Sequence, residues 1–342
     1  MVHRYWLKGF LAVAAGSALA AADASAATPL PAATPVFGLD AAPDGSLLVA
    51  DAGSGVLELR KGTSAAVASL PGVTAVAALG RGDVFAVTSP GFGGSGHLYR
   101  ASRGSARMVA DISGFEAAVN PDGDQVDSNP FDVAVLNGGQ VVVADAAANA
   151  IVVADMSGTV DWIATLPDQL VSTANLKQLA GCPDSNAQFC GLPPMLPAEA
   201  VATSVALGPD GYLYAGELKG FPAPTGQSRV WRIDPSARHV VCGTSPQCVQ
   251  VAAGFTSITD LSFGPDGTLY VTEFDEASWA AVEFGLGPVG GTVNACAVSS
   301  GACTVVATGL PMPTDVAFRK DGQGAVVINA LVPGNAQLQP LP

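Results

Sequence analysis

Residues 259–273 read TDLSFGPDGTLYVTE, and this stretch contains the pattern that decides the fold. A short apolar run leads into Gly-Pro-Asp-Gly, a second apolar run follows, and the stretch ends on a carboxylate. Proline presets an early turn position, aspartate bonds back to the backbone, and glycine takes the positive φ that other residues resist. The stretch therefore predicts a tight β-hairpin.

The same pattern occurs six times in the chain. The other copies are FGLDAAPDGSLLVAD (37–51), TAVAALGRGDVFAVTS (74–89), FDVAVLNGGQVVVAD (131–145), TSVALGPDGYLYAGE (203–217) and TDVAFRKDGQGAVVIN (314–329). Outer-strand candidates, such as residues 149–155 and 228–234, lie between the hairpins, as expected for propeller blades of about 40 to 50 residues. We predict an all-β, six-bladed β-propeller. A linear solenoid is the alternative, but it needs a polar cap at each end.

The last copy of the repeat stops soon after its second strand. A ring of blades hides the strand edges that would otherwise pair with other molecules. We therefore expect residues 337–341 to supply a third strand and residues 28–34 to complete the last blade.

Residues 1–26 have the features of a secretory signal peptide. His3, Arg4 and Lys8 form a basic start, residues 9–20 are apolar, and Ala24-Ser-Ala26 is a small-residue cleavage site. We predict cleavage near Ala26, a secreted or periplasmic protein, and a single propeller domain over residues 27–342. A buried N-terminal helix is the alternative. No later segment has the ~20 uninterrupted apolar residues of a transmembrane helix.

The six cysteines fall into three close pairs, which are Cys182 with Cys190, Cys242 with Cys248, and Cys296 with Cys303. An even number of cysteines behind a signal peptide indicates disulfides, and we expect these neighbours to pair as local clips in loops and outer hairpins. A metal-thiolate site is the alternative, although zinc sites favour shorter spacings. The first pair lies in a Pro-rich insertion, Leu166–Glu199, which we expect to be a stapled surface excursion.

The full chain has a net charge of −14 at pH 7, and 49% of its residues are hydrophobic. Nucleic acid and anionic membrane surfaces are poor partners for such a negative field. We expect a monomer whose partner is a protein, a glycan or a small molecule.

The repeat also predicts two rings of side chains at one mouth of the central channel, because the first strand of each hairpin starts where the second ends. The first ring holds Gly38, Ala75, Asp132, Ser204, Asp260 and Asp315, and the second holds Asp51, Ser89, Asp145, Glu217, Glu273 and Asn329. Clustered carboxylates raise one another's pKa unless a cation compensates, and Ca²⁺ takes about 6 to 8 oxygen ligands. We predict a Ca²⁺ site formed by Asp132, Asp145, Glu217, Asp260, Glu273, Asp315 and Asn329.

Two other interpretations of these acidic residues stay open. The carboxylates that end the second strands could cap the following turns. Residues 120–127, NPDGDQVD, also resemble an oxygen-rich calcium loop, although they lack the bidentate Glu at the spacing of an EF-hand.

Residues 116–131, EAAVNPDGDQVDSNPF, and residues 216–226, GELKGFPAPTG, resemble signature stretches of the ScyD/ScyE family. This resemblance extends from about residue 115 to residue 329 and implies an exported, NHL-type six-bladed propeller. Family members carry a longer Cys- and Gly-rich insertion after the first hairpin, where this chain has only Gly53-Ser-Gly55. The resemblance implies a fold and export, and it implies no reaction.

Two classes of function remain from the sequence. Apart from His3, the histidines are His97, after a Gly-rich turn, and His239, on an outer strand, so neither is placed as a channel base. We therefore expect a binding or scaffold protein, without assigned catalytic residues, rather than an enzyme. The alternative is a Ca²⁺-dependent hydrolase resembling six-bladed lactonases and esterases, in which the metal polarises a carbonyl and a carboxylate acts as the base.

Overall fold

The computed structural model describes residues 27–31, 35–80, 83–136, 139–185 and 188–341. Within these ranges the chain forms six antiparallel blades around a channel. The strands are β1 (Thr28–Pro29), β2 (Val36–Ala41), β3 (Leu47–Asp51), β4 (Gly55–Arg60), β5 (Thr63–Ala68), β6 (Val73–Ala78), β7 (Asp83–Thr88), β8 (His97–Ser102), β9 (Ser105–Asp111), β10 (Pro130–Val135), β11 (Val141–Asp145), β12 (Ala150–Ala154), β13 (Val160–Thr165), β14 (Gln169–Ser172), β15 (Met195–Ala198), β16 (Ala202–Leu207), β17 (Leu213–Glu217), β18 (Ser228–Ile233), β19 (Val240–Val241), β20 (Cys248–Phe255), β21 (Ile258–Phe263), β22 (Leu269–Glu273), β23 (Gly291–Ala297), β24 (Ala302–Leu310), β25 (Val316–Phe318), β26 (Gly324–Ile328) and β27 (Gln337–Pro340).

The described ranges contain three short α-helices in loops, α1 (Ile112–Val119), α2 (Ala174–Leu179) and α3 (Trp279–Glu283), together with 3₁₀ turns at Pro90–Phe92 and Gln188–Gly191. Among the described residues, none of the helices is long and apolar enough to cross a membrane.

The six blades follow the chain in order. They are blade 1 (β2 to β5), blade 2 (β6 to β9), blade 3 (β10 to β13 with β19), blade 4 (β16, β17, β18 and β20), blade 5 (β21 to β24) and blade 6 (β25, β26, β27 and β1). The inner strands β2, β6, β10, β16, β21 and β25 contact one another in that order, and β25 contacts β2. The blades therefore form a closed ring, which confirms the predicted propeller.

The hairpin turns have the predicted chemistry in the four copies whose turns are fully described. Gly45, Gly211, Gly267 and Gly322 adopt φ of 85°, 82°, 84° and 86°. In each turn the aspartate before the glycine accepts the N–H two residues further on, as Asp266 does from Thr268 at 3.0 Å. Gly82 and Gly138, the turn residues of the other two copies, lie outside the described residues.

Threonines at the start of the inner strands connect successive blades. Each hydroxyl donates to a carbonyl of the next blade, Thr74 to Pro130 at 2.9 Å, Thr203 to Ile258 at 2.7 Å and Thr314 to Val36 at 2.9 Å. Phenylalanines, Phe37 and Phe131, occupy the same position in blades 1 and 3. The inner strands are thus joined by a repeated side-chain bond as well as by packing.

The two ends of the described chain close the ring in blade 6, as expected. Strand β27 pairs with β26, and Thr28 and Pro29 pair with Leu338 and Gln337 as the outermost strand. Residues 32–34 of the predicted closing stretch lie outside the described residues, as does the predicted signal peptide over residues 1–26.

The three predicted disulfides are present, and the described cysteines include no free thiol. Cys296 and Cys303 lie opposite each other on the outer strands β23 and β24, as expected. Cys242–Cys248 also lies in an outer connection, the one between β18 and β20 of blade 4. The strand before it, β19, leaves blade 4 and pairs in parallel with β13 of blade 3, so this bridge closes a loop that joins two blades.

The insertion Leu166–Glu199 is more ordered than a plain surface excursion. Strands β14 and β15 pair as a hairpin, and α2 lies between them in sequence with Cys182–Cys190 after it. Leu176 of α2 is 0% exposed. The insertion therefore contributes to the buried interior at one end of the channel.

Candidate functional site

A cavity of about 270 Å³ lies in the central channel and is lined by the inner strands of all six blades. Four carboxyl groups, those of Asp40, Asp132, Asp260 and Asp315, belong to its wall. The other described residues of the wall are Ser262 and apolar residues such as Val76 and Val205, and they include no Lys, Arg or His. The cavity is therefore lined by acidic groups and by otherwise mostly apolar residues.

Each of these carboxylates connects two blades. Asp132 accepts the N–H of Val205 at 2.7 Å, Asp260 that of Val316 at 3.1 Å, Asp315 that of Leu39 at 2.8 Å and Asp40 that of Ala78 at 2.7 Å. The geometry is the same in every case. Each aspartate accepts from the residue that follows the corresponding repeat position in the next blade, as Asp132 corresponds to Ser204 and bonds Val205. The channel aspartates thus hold neighbouring blades together and also supply the acidic groups of the channel.

Burial raises the pKa of all four groups. The pKa of Asp40 rises to about 6, although it accepts N–H groups from Ala78 and Ala41. Burial also raises the pKa values of Asp132 and Asp315 well above the ordinary range, and the charge of Asp260 raises both further. The cavity consequently favours either a proton or a cation over four free charges.

Three of the predicted first-ring carboxylates, Asp132, Asp260 and Asp315, therefore lie together, and Asp40 joins them. The sequence analysis did not include Asp40, because it lies two positions after Gly38, the first-ring residue of blade 1. A signal was present, because the equivalent residues of the other repeats are alanine or serine, as at Ala77, Ala134 and Ser262.

The second-ring residues do not line this cavity. Asp145 accepts the Ser128 hydroxyl at 2.6 Å and the N–H groups of Asn129 and Ala148 at 2.6 and 3.3 Å. Glu273 accepts the Thr256 N–H and, at 2.6 Å, the amide of Asn294. These carboxylates hold loops to strand ends, and burial raises the pKa of Asp145 to about 6 and that of Glu273 to about 7.

Glu217 of the second ring lies in a buried ion-pair network. Its carboxylate is 2.7 Å from the Lys219 ammonium and 2.8 Å from the Arg229 guanidinium, and it accepts the Trp231 N–H at 2.6 Å. Lys219 is 0% exposed, and burial lowers its pKa. Sequence reasoning did not find this network, because Lys219 and Arg229 follow Glu217 in a loop and on an outer strand. Asn329 has a positive φ of 52° and donates its N–H to Pro311.

The channel end at which the inner strands begin is filled by a buried apolar cluster, which we call the channel plug. Every blade contributes to it, and Leu176 of the insertion and Trp279 of α3 join it. The large contributors from the six blades are Phe37, Phe92, Phe131, Leu218, Phe274 and Leu331. The Trp279 indole donates to the Lys219 carbonyl at 2.7 Å. The plug separates the loop face from the carboxylate cavity, which lies further along the inner strands.

A Ser, His and Asp group also occurs on the surface of blade 2. Ser95 Oγ is 3.0 Å from His97 Nδ1, and His97 Nε2 is 3.4 Å from Asp111 Oδ1. Ser95 also contacts the Tyr99 hydroxyl at 2.9 Å, and Asp111 accepts the Gly114 N–H at the start of α1. These residues face solvent away from the channel cavity, so they form a surface hydrogen-bond chain.

Within the part of the chain that the structure describes, no three His, Cys, Asp or Glu side chains converge closely enough to hold a metal ion by themselves. The Ca²⁺ site named from the sequence therefore stays a prediction.

No protein-family model and no curated protein sequence matches this chain. Solved structures are similar to it in fold. A gluconolactonase from Xanthomonas campestris has a TM-score of 0.57 at 13% identity, covering 96% of this chain and 99% of its own. A glucose dehydrogenase-type putative oxidoreductase from Thermus thermophilus has a TM-score of 0.53 at 18% identity, covering 91% and 97%. A virginiamycin B lyase from Staphylococcus aureus has a TM-score of 0.51 at 12% identity, covering 92% and 86%. At these identities the similarity shows the six-bladed propeller fold alone.

Proposed function

We propose that this protein is an exported binding or scaffold propeller of the ScyD/ScyE type that holds Ca²⁺ among its channel aspartates. The observation that carries this proposal is the composition of the cavity wall, which has four carboxyl groups and, in the described residues, no basic side chain. A low-dielectric cleft lined by one sign of charge concentrates the opposite ion.

The aspartates keep acceptor capacity for a cation. Each carboxylate has about four lone-pair sites. Backbone N–H groups use one or two of them, and Asp260 and Asp315 also share a side-chain hydrogen bond. The cavity volume of about 270 Å³ exceeds the ~30 Å³ share of one liquid water several times. Water oxygens could complete the six to eight ligands that Ca²⁺ takes, at about 2.3 to 2.6 Å.

The loop face is the surface that we assign to a partner. The channel plug fills the loop end of the channel, so a ligand there meets loops rather than the aspartates. Those loops include residues 111–129 and the stapled insertion Leu166–Glu199, and rigidly held loops commonly carry recognition. A protein, a glycan or a small molecule is the partner class, and the three disulfides fit the oxidising compartment reached through a cleaved segment 1–26.

Calorimetric titration of the mature chain with Ca²⁺ tests the proposal. We expect wild type and a Glu58→Gln control, changed on an outer strand, to bind with equal affinity, and Asp260→Asn to lose at least tenfold in affinity while keeping its circular dichroism spectrum. Affinity that is equal in Asp260→Asn and wild type would exclude the channel as the site.

A Ca²⁺-dependent lactonase or esterase is the second candidate. It is favoured by the raised pKa of Asp40, to about 6, which is close to the pH at which a general base works best. A panel of lactones and aryl esters, assayed with wild type, Asp260→Asn and Glu58→Gln, separates the two functions. Turnover that Asp260→Asn alone abolishes would support the hydrolase, and the absence of turnover alongside retained Ca²⁺ binding would support the binding protein.

A further inference from the structure

Helix α1 carries a buried carboxylate whose two oxygens lack a donor in hydrogen-bonding geometry. Glu116 is 2% exposed, and neither of its carboxylate oxygens has a partner in hydrogen-bonding geometry. An unsatisfied buried carboxylate costs several kcal/mol in general, so native proteins rarely keep one without a compensating group.

A second buried acceptor without a donor lies at the end of the same helix. Asn120 ends α1 in the left-handed conformation, with φ 49°, and donates its backbone N–H to the Glu116 carbonyl. Residues four apart on a helix are neighbours on one face. The Asn120 amide nitrogen donates to the Asp124 carbonyl at 2.7 Å, while its Oδ1 atom is buried without a donor. Three acceptor oxygens, on two side chains four residues apart in sequence, are therefore buried without donors in hydrogen-bonding geometry.

The surroundings of Glu116 are acidic. Burial raises the pKa of Glu116 to about 7, and the charges of Asp145, Asp122 and Asp127 raise it further, while the nearby Asp127 backbone N–H lowers it. Asp122 and Asp145 are held in place by other partners, since Asp122 accepts the Asn149 amide at 2.9 Å and Asp145 accepts the Ser128 hydroxyl. Among the described residues, the groups with the largest effect on the pKa of Glu116 include no basic side chain.

We propose that Glu116 and Asn120, with Asp127, form a second Ca²⁺ site that fastens helix α1 to the segment that leads into blade 3, within the loop of residues 111–129. Its side-chain ligands are two carboxylates and one amide oxygen, so it does not require three converging acidic residues, and main-chain and water oxygens supply the rest. The loop contains no cysteine, unlike the insertion Leu166–Glu199, and the cation would take the place of a disulfide there. The site is independent of the channel site and would exist without it.

Thermal unfolding and calorimetry of the mature chain, with Ca²⁺ and with chelator, test this site. Glu116→Gln keeps the side-chain shape, removes the charge and offers an N–H₂ donor to Asn120 Oδ1. In chelator, we expect Glu116→Gln to unfold at a higher temperature than wild type. With Ca²⁺, the unfolding temperature of Asp260→Asn should still rise because its second site is intact, and Glu116→Gln should lack this part of the rise. Asp124→Asn, an exposed change in the same loop, is the matched control and should behave as wild type.

Asn120→Asp gives a test in the opposite direction. Adding a carboxylate to the ligand set should raise Ca²⁺ affinity, by about tenfold, because affinity of oxygen-ligand sites grows with ligand charge. Ca²⁺ responses of Glu116→Gln and Asn120→Asp that equal those of wild type would overturn the proposal, as would the absence of any Ca²⁺ response in Asp260→Asn.

Discussion

At the residue scale, the channel aspartates have a structural and an electrostatic role at once. Asp260 accepts the Val316 N–H from the next blade, and its charge lies beside those of Asp132 and Asp315. The hydrogen bond stabilises the ring, whereas the charge opposes folding in the absence of a cation. The two roles can be separated by substitution, because asparagine keeps an acceptor oxygen and alanine does not.

Asp260→Asn should therefore be at least as stable as wild type at pH 8 in chelator, since it removes a buried like charge and keeps an acceptor. Asp260→Ala should be less stable by about 1 to 3 kcal/mol, because the buried Val316 N–H loses its partner. Urea denaturation monitored by circular dichroism measures both. Equal destabilisation by the two substitutions would show that the charge carries no cost.

The Glu217 network makes a second prediction at this scale. Glu217→Gln removes the carboxylate that pairs with Lys219 and Arg229, and the loss of one partner from a buried pair costs about 3 to 5 kcal/mol. Lys219→Met leaves Glu217 with Arg229 and Trp231, so we expect a much smaller loss. Urea denaturation should show a larger loss in free energy of unfolding for Glu217→Gln than for Lys219→Met. A larger loss for Lys219→Met would contradict a structural role for Glu217.

At the scale of elements, the hairpins could be predicted because their turns are determined locally. Each turn depends on one aspartate and one glycine that lie next to each other in sequence, as Asp266 and Gly267 do. The closing pair β1 and β27 could be expected from the incomplete last repeat. Strand β19 could not, because two residues, Val240 and Val241, pair with a different blade and carry no local signal.

The candidate site was predictable only in part, for the same physical reason. Asp132, Asp260 and Asp315 share a repeat position, and a repeat places equivalent residues together. The partners of Asp145 and Glu217 come from loops without a repeat, such as Ser128 and Lys219, so their engagement required the tertiary structure. The channel plug was missed for the same reason, because Leu176 and Trp279 come from insertions.

The role of α2 in the plug gives a prediction at the element scale. Leu176 is 0% exposed in the channel plug, whereas Leu170 in the same insertion is 64% exposed. Leu176→Ala should cost about 2 to 5 kcal/mol, the usual range for a buried leucine, and Leu170→Ala should stay within about 0.5 kcal/mol. Similar urea midpoints for the two variants would mean that the insertion is not part of the buried interior.

At the scale of the whole molecule, burial raises the pKa of many carboxyl groups. The pKa values of Asp40, Asp145 and Asp275 rise to about 6, and those of Glu116, Glu273 and Glu283 rise to about 7. Exposed turn residues show the opposite change, because hydrogen bonds lower the pKa values of Asp44, Asp155 and Asp266. The carboxyl groups with raised pKa values destabilise the folded state at high pH. The groups with lowered pKa values destabilise it at very low pH.

The sign follows from proton binding. Between about pH 4 and 7 the unfolded chain releases the protons of the groups with raised pKa values before the folded chain does, so the unfolded state binds fewer protons and stability falls as pH rises. We expect the unfolding temperature in chelator to fall by several degrees from pH 5 to pH 8, and Ca²⁺ to reduce this fall. A flat or rising profile in chelator would contradict the raised pKa values.

The central claim is that the channel aspartates hold a cation, and a crystal structure of the mature chain grown with Ca²⁺ tests it most directly. We expect an anomalous peak in the channel cavity, about 2.3 to 2.6 Å from carboxylate oxygens of Asp132, Asp260 or Asp315. The side chains of Asp260 and Asp315 share a hydrogen bond in this structure. Crystals grown in millimolar Ca²⁺ that keep this hydrogen bond and have no peak between the inner strands would contradict the claim.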